Sequence, residues 1–186
     1  MILLSFRNSS FHSFVLTKGA KIFRNNLSVI LGGEGAQAHV NGLHALKGDR
    51  HADSHTFLDH RAPNTRSDQL YKCILQDSAH SVFNGKISVR REAQLTNSYQ
   101  LNKNLILSRE CCVDTKPQLE INADDVKCTH GATIGQLSEE ELFYLQTRGI
   151  GKDEARQMLV RGFVEDVLNK ISNPGLRAVI GKMAAF

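Results

Sequence analysis

Residues 1–135 are broken into short apolar or β-branched runs, each about one strand long, by Gly, Asn and Asp. Ser13–Thr17, Leu27–Leu31, Thr56–Leu58, Leu70–Leu75, Ser81–Val89, Asn104–Ser108 and Gln118–Asn122 are the clearest. None carries a 3.6-residue apolar period over a helical length, so this part of the chain is expected to form sheets. One internal echo is present. Val40-Asn41-Gly42-Leu43 returns as Phe83-Asn84-Gly85-Lys86, 43 residues on (85 minus 42). Short strands with turn residues at intervals suit a stacked solenoid. If two coils separate the Asn-Gly sites, each holds roughly 21 or 22 residues, within the solenoid range. Asn-Gly is equally a hairpin turn, so the pattern alone leaves two architectures open, a parallel β-helix and an antiparallel sandwich.

Residues 136–186 follow different rules and read as a small helical domain. Ser138 and Glu141 have capping-box spacing, and Glu139, Glu140 and Glu141 put negative charge at the positive end of a helix. Gly149 is placed to end that helix as its C′ residue. A second helix is predicted from about Lys152 to Ile171. Ala155, Met158, Leu159, Gly162 and Phe163 share one face, and Val160, Val164 and Leu168 form a second row. Asn173 before Pro174 predicts a third, shorter helix.

Composition narrows the function. A formal net charge of +4, scattered along the chain, and no Trp argue against a nucleic-acid surface. No run is long enough for a membrane span, and Met1 to Phe6 is too short for a signal peptide. The cysteines, Cys73, Cys111, Cys112 and Cys128, do not read as a disulfide framework, and reduced thiols are expected. On a strand the adjacent Cys111 and Cys112 point to opposite faces. There is no GxSxG, HExxH, P-loop or dinucleotide fingerprint. Gly32-Gly33-Glu34-Gly35 lacks the Lys-Ser/Thr of a phosphate loop and reads as a turn.

Two clusters bear chemistry. In Asp124-Asp125-Val126-Lys127-Cys128-Thr129-His130-Gly131, an extended backbone puts Val126, Cys128 and His130 on one face. A thiolate and an imidazole there can hold zinc, iron or an iron–sulfur cluster. Two ligands do not complete a four-coordinate site, so the remainder must come from elsewhere. The alternative is a packed cysteine beside a surface histidine. In the second cluster, His51, Asp53, His55 and Asp59 share one strand face, while His60 points away. These residues suit a divalent metal or a His–Asp pair, and a metal-dependent enzyme using His51, Asp53 and His55 with Cys128 is the rival reading. The alternative is a polar face whose histidines hydrogen-bond along a ladder of coils.

The block from Asp114 to Ile150, DTKPQLEINADDVKCTHGATIGQLSEEELFYLQTRGI, resembles the signature of the SufB/SufD family of iron–sulfur cluster assembly proteins. The resemblance continues through Glu154–Leu159 and Gly162-Phe163. Upstream it takes in Arg24–Leu27, Asn41–Leu43, His51–His60, Leu70–Lys72 and Val82–Lys86. The KPQLEI and ADDVKC wording follows the SufD branch. Gly131 after His130 does too, since SufB-type chains carry a Glu there.

The resemblance implies a right-handed parallel β-helix over residues 1–135, with helices in 136–186. It also implies that a further N-terminal helical region is missing, so that the chain looks like a C-terminal portion. The implied role is a non-enzymatic scaffold subunit. It pairs with a SufB-like partner through the β-helix, or with itself when isolated, and binds a SufC-like ATPase through its helices. His130, and with it Cys128, would line a joint site for a nascent iron–sulfur cluster shared with the partner. No cluster is expected on the isolated chain. Leu142, Phe143, Tyr144, Leu145, Arg148, Met158 and Phe163 would form the ATPase-docking region. The implied compartment is the cytoplasm, or the plastid stroma in a plant or alga.

Overall fold

The computed structural model describes residues 1–183. Ten strands come first: β1 (Ile2–Ser5), β2 (Ser10–Thr17), β3 (Ile22–Leu31), β4 (Gln37–Leu46), β5 (His51–His60), β6 (Arg66–Leu75), β7 (His80–Val89), β8 (Thr96–Ile106), β9 (Cys112–Ile121) and β10 (Val126–Gly135). The odd strands form one five-stranded sheet in the order β1-β3-β5-β7-β9, and the even strands form a second, β10-β8-β6-β4-β2. Every pairing is parallel. The chain therefore gives one strand to each sheet per coil, and the architecture is a parallel β-solenoid rather than a sandwich.

Register corrects the expected coil length. Ile22 pairs with His51, 29 residues on (51 minus 22), Arg66 with Asn97, 31 on (97 minus 66), and His80 with Cys112, 32 on (112 minus 80). The first coil is shorter, with Ile2 paired to Ser28, 26 on (28 minus 2), so a coil holds 26 to 32 residues, not 21 or 22. Asn41-Gly42 lies inside β4 and Asn84-Gly85 inside β7, so neither is a turn. They belong to different sheets, about one and a half coils apart. Both glycines face the interior. A Cβ on Gly42 would stand 2.4 Å from Tyr71 Cε1, and one on Gly85 2.4 Å from Gln100 Nε2. The echo marks places where a large interior side chain leaves no room for a Cβ.

The turns stack as well. Gly35, Asn64 and Leu95, at the corners after β3, β5 and β7, all have left-handed φ (70°, 57° and 60°). Their amides donate to the next coil's carbonyls, at Pro63, Gln94 and Asp125 respectively. Gly32–Gly35 is the first of these corners, as its composition predicts. Inside the solenoid, Leu27, Val29, Leu31, Val40, Leu58, Tyr71, Phe83 and Ile87 form the apolar core.

Three helices follow: α1 (Glu139–Thr147), α2 (Lys152–Leu168) and α3 (Pro174–Met183). Ser138 Oγ accepts from the Glu141 amide at 3.3 Å, Gly149 sits at φ 83°, and Asn173 Oδ1 accepts from the Leu176 amide at 3.0 Å, all as predicted. α2 lies on the outer face of the even sheet. There Val160, Val164, Val167 and Leu168 pack with Leu43, Leu70, Ile74 and Leu105, each buried aliphatic contributing roughly 1.5–3 kcal/mol. The Val160–Val164–Leu168 row packs along its length, and of the other row Ala155 is buried and Phe163 packs against the same cluster. Met158 and Gly162 on the other row are exposed. α2 stops at Leu168, short of Ile171, although Ile171 remains buried in the same cluster. Lys72 fastens the helix. Its Nζ donates to Phe163 O at 2.5 Å and to Asp166 Oδ2 at 2.6 Å, and sits 4.6 Å from the Phe163 ring centroid.

Candidate functional site at the open end of the solenoid

Alternate residues of each strand point inward, and in the even sheet many of these are polar. Thr65, Ser67 and Gln69 on the β6 coil lie beneath Thr96, Ser98 and Gln100 of the next. The contacts are Thr65 Oγ1 to Thr96 Oγ1 at 3.1 Å, Ser67 Oγ to Ser98 Oγ at 2.6 Å, and Gln100 Nε2 donating to Gln69 Oε1 at 2.7 Å. Gln69 Nε2 donates in turn to Thr56 Oγ1 at 2.7 Å. His60 crosses the interior to reach Thr65 at 2.8 Å and Ser67 at 2.9 Å. Burial pushes the His60 pKa down to about 4 despite the opposing charge of Asp59. Apart from Gln100 Oε1, these polar groups are buried but paired, so they do not carry the desolvation cost of an orphan.

β10 adds one more layer in the same register. Val126 pairs with Thr96, Cys128 with Ser98, and His130 with Gln100. Paired residues of parallel strands point to the same side, so Cys128 and His130 stand over the polar ladder on its uncovered side. β9 and β10 are the terminal strands of their sheets. His130 is consequently exposed and Cys128 half-buried against the end of the core. Beneath His130, Gln100 Oε1 is buried without a partner. Burial pushes the Cys128 thiol up, against a smaller opposing hydrogen bond with the Ser98 backbone. Burial thus favours the protonated thiol over the thiolate. Gly131 points the other way, where a Cβ would stand 3.2 Å from Leu101 Cδ1.

The His51–His60 stretch is strand β5, with its odd residues outward as expected. Asp53 is clamped by Arg24 at 2.9 Å and His55 at 2.8 Å. His51 Nδ1 lies 3.2 Å from His80 Nδ1. Asp59 is fully buried between Arg61 (2.7 Å) and Arg90 (2.8 Å). Burial pushes its carboxyl up, but the hydrogen bonds from Arg90 and Arg61 outweigh this and hold it low. His51, Asp53 and His55 lie on the outer face of the odd sheet. Cys128 is on the inner side of the even sheet's edge strand, so the structure does not bring the four together. Cys111 packs inward with Leu46, Ala52 and Cys73, and Cys112 points outward.

On the helices, Phe143, Tyr144 and Met158 are exposed at 68%, 58% and 44%. Arg148 lies over the Tyr144 ring, 5.3 Å from its centroid. Leu145 is half-buried and lines an open groove with Glu140, Glu141, Tyr144 and Leu159. Leu142 is buried, and Phe163 is turned toward Lys72. No helix among the described residues is long and apolar enough to cross a membrane.

The polar ladder is what sequence reasoning missed. Its signal is the alternation Thr96, Ser98, Gln100, Asn102, Asn104, a polar run with the period of a strand.

A family model described as SUF system FeS cluster assembly, SufBD core domain, matches residues 2–163. The chain is 40% identical over 166 residues to the iron–sulfur cluster assembly protein SufD of Escherichia coli, which covers 89% of this chain and 39% of that protein. An iron–sulfur cluster assembly SufBD family protein of Synechocystis is 40% identical over 165 residues, covering 89% of the chain and 36% of the relative. The chloroplastic protein ABCI7 of Arabidopsis thaliana is 38% identical over 172 residues, covering 91% and 36%. The chain thus spans less than half the length of these relatives. The family-model match and the identities rest on the same strands that carry the ladder and its open end: the chain belongs to the SufBD family of iron–sulfur cluster assembly proteins.

Proposed function

We propose that the chain is the SufD-like member of a SufB–SufD pair within a scaffold that also contains a SufC-like ATPase. The observation that carries this reading is the open end. Two ten-residue parallel strands, β9 and β10, each pair on one side only among the described residues. Such edges are templates for added strands. A partner β-helix with matching coils would extend both sheets at once. The same edge would accept a second copy of this chain when the partner is absent.

Cys128 and His130 supply two ligands at that junction, and the partner supplies the rest. The nascent iron–sulfur cluster is the cargo of this joint site, not a resident group. Thiolate and imidazole both ligate iron in such clusters, and the protonated Cys128 thiol would hold the half-site inactive until iron is delivered. The exposed Phe143, Tyr144 and Met158, with Arg148 and Leu145, offer the ATPase an apolar surface ringed by charge. Leu142 and Phe163 hold those helices on the solenoid. ATP hydrolysis belongs to the partner. The family includes bacterial and chloroplastic proteins, and a reducing compartment, cytoplasm or stroma, suits free thiols.

Co-expression with SufB- and SufC-like partners, followed by iron and sulfide analysis, tests this. His130→Ala is expected to leave the complex intact and to abolish cluster formation. Full-rate assembly by that variant would remove His130 from the site. The Phe143→Asp/Tyr144→Asp double variant is expected to lose the ATPase from the purified complex while keeping the SufB-like partner. Undiminished ATPase association would overturn the docking surface.

A further inference from the structure

The outer face of the odd sheet carries a second constellation, made by register alone. His80 of β7 and Cys112 of β9 are direct cross-strand partners, and Asp114 lies two residues along the same face. Ligand atoms of these three side chains lie within 4.8 Å of one another, the one such group among the described residues. His80 Nε2 is 2.8 Å from Asp114 Oδ2. On the other side of His80, in the same column, stands His51. Its ring is edge-on to that of His80, with centroids 4.6 Å apart.

We propose that His80 Nε2, Cys112 Sγ and the Asp114 carboxylate form a binding site for a divalent transition metal of the zinc and iron(II) class. One thiolate, one imidazole and one carboxylate match the donors such cations prefer, whereas magnesium and calcium favour oxygen-only sets. Bond lengths of about 2.0–2.3 Å require tetrahedral ligands to sit roughly 3.3–3.7 Å apart. Side-chain rotation on a fixed strand frame supplies the remaining contraction. Cys112 and Asp114 are exposed, so the cation enters without any opening of the fold.

His51 positions the central ligand. In the loaded site His80 carries its proton on Nδ1 and donates it to His51 Nδ1, with His51 as its Nε2–H tautomer. This arrangement fixes the ring and turns the His80 Nε2 lone pair to the metal. The Cys112 thiol proton is released to solvent. Three protein ligands leave one coordination position open, the mark of sites that exchange a ligand rather than sites that only brace a fold. The site lies on the last coil but on the opposite sheet from Cys128 and His130, and uses neither of them.

Anaerobic titration of the full chain with Co²⁺ tests the site. The expected result is saturable binding of one ion, with a thiolate-to-cobalt charge-transfer band and intense tetrahedral d–d bands, displaced by Zn²⁺. Cys112→Ser loses the charge-transfer band. His80→Ala and Asp114→Asn each weaken binding by about 100-fold, and His51→Ala by about 10-fold. Cys128→Ser and His130→Ala leave the titration unchanged. These variants touch exposed or half-buried groups, and circular dichroism confirms their folding. A charge-transfer band that survives Cys112→Ser, one that vanishes with Cys128→Ser, or wild-type chain that binds no Co²⁺ saturably would each overturn the assignment. Cluster assembly is not read in this experiment, so its outcome is independent of the scaffold role.

Discussion

The third coil, β5 and β6, and the last coil, β9 and β10, are built on one plan and do opposite things. In the third coil the inward Thr65, Ser67 and Gln69 have layers above and below, and each has a partner. In the last coil Cys128 and His130 continue the same columns, but among the described residues no strand covers their far side. One position in the repeat gives internal structure where a neighbour follows and accessible side chains where none does. Under the proposed function, a solenoid places a ligand pair without a cleft, by letting the ladder run out.

The inner coils should be the sensitive ones. His44 and His60 are both held near pKa 4 by burial, whereas an unfolded histidine titrates near 6.5. Between these values the unfolded chain binds more protons. Stability is therefore fully present above about pH 6.5 and falls as pH descends toward 4, by on the order of 3 kcal/mol for each histidine. Urea melts from pH 7 to pH 4 check this, and a flat profile would mean that the two rings are not buried neutral. A smaller effect is expected from Gln69→Leu, which strands Gln100 and Thr56. It should cost about 2–3 kcal/mol in the same melts at pH 7. Smallest is His130→Ala, expected within about 0.5 kcal/mol of the parent because no layer rests on it. If His130→Ala destabilised the chain as much as Gln69→Leu, the contrast between closed and open coils would fail.

Local rules made the helices and β5 legible. The Ser138, Gly149 and Asn173 caps depend on a few neighbouring residues, and the β5 face follows from simple alternation. The Asn-Gly pairs misled because they look like turns, yet in β4 and β7 their glycines make room for Tyr71 and Gln100. The first half of β8 was hidden for a related reason: its inward residues are Thr96, Ser98, Gln100 and Asn102, the reverse of the apolar-inside pattern. At the candidate site, the shared face of Cys128 and His130 could be read directly. Their exposure could not, because it depends on which coil is last. The meeting of His80 with Cys112 and Asp114 depends on a 32-residue register (112 minus 80) that no local signal encodes.

The parallel register also sets how the molecule loosens. Each strand is hydrogen-bonded only to strands one coil away, so cohesion is a sum of nearest-neighbour layers, as in a zipper. Thermal opening then begins at the ends. Amide exchange should be faster in the edge strands β1, β2, β9 and β10, which lack a neighbour on one side, and slowest in β5 and β6. Under the proposed pairing, the strands that receive another chain are thus the ones freest to adjust their twist to it, while the coils beneath hold the register they must adopt.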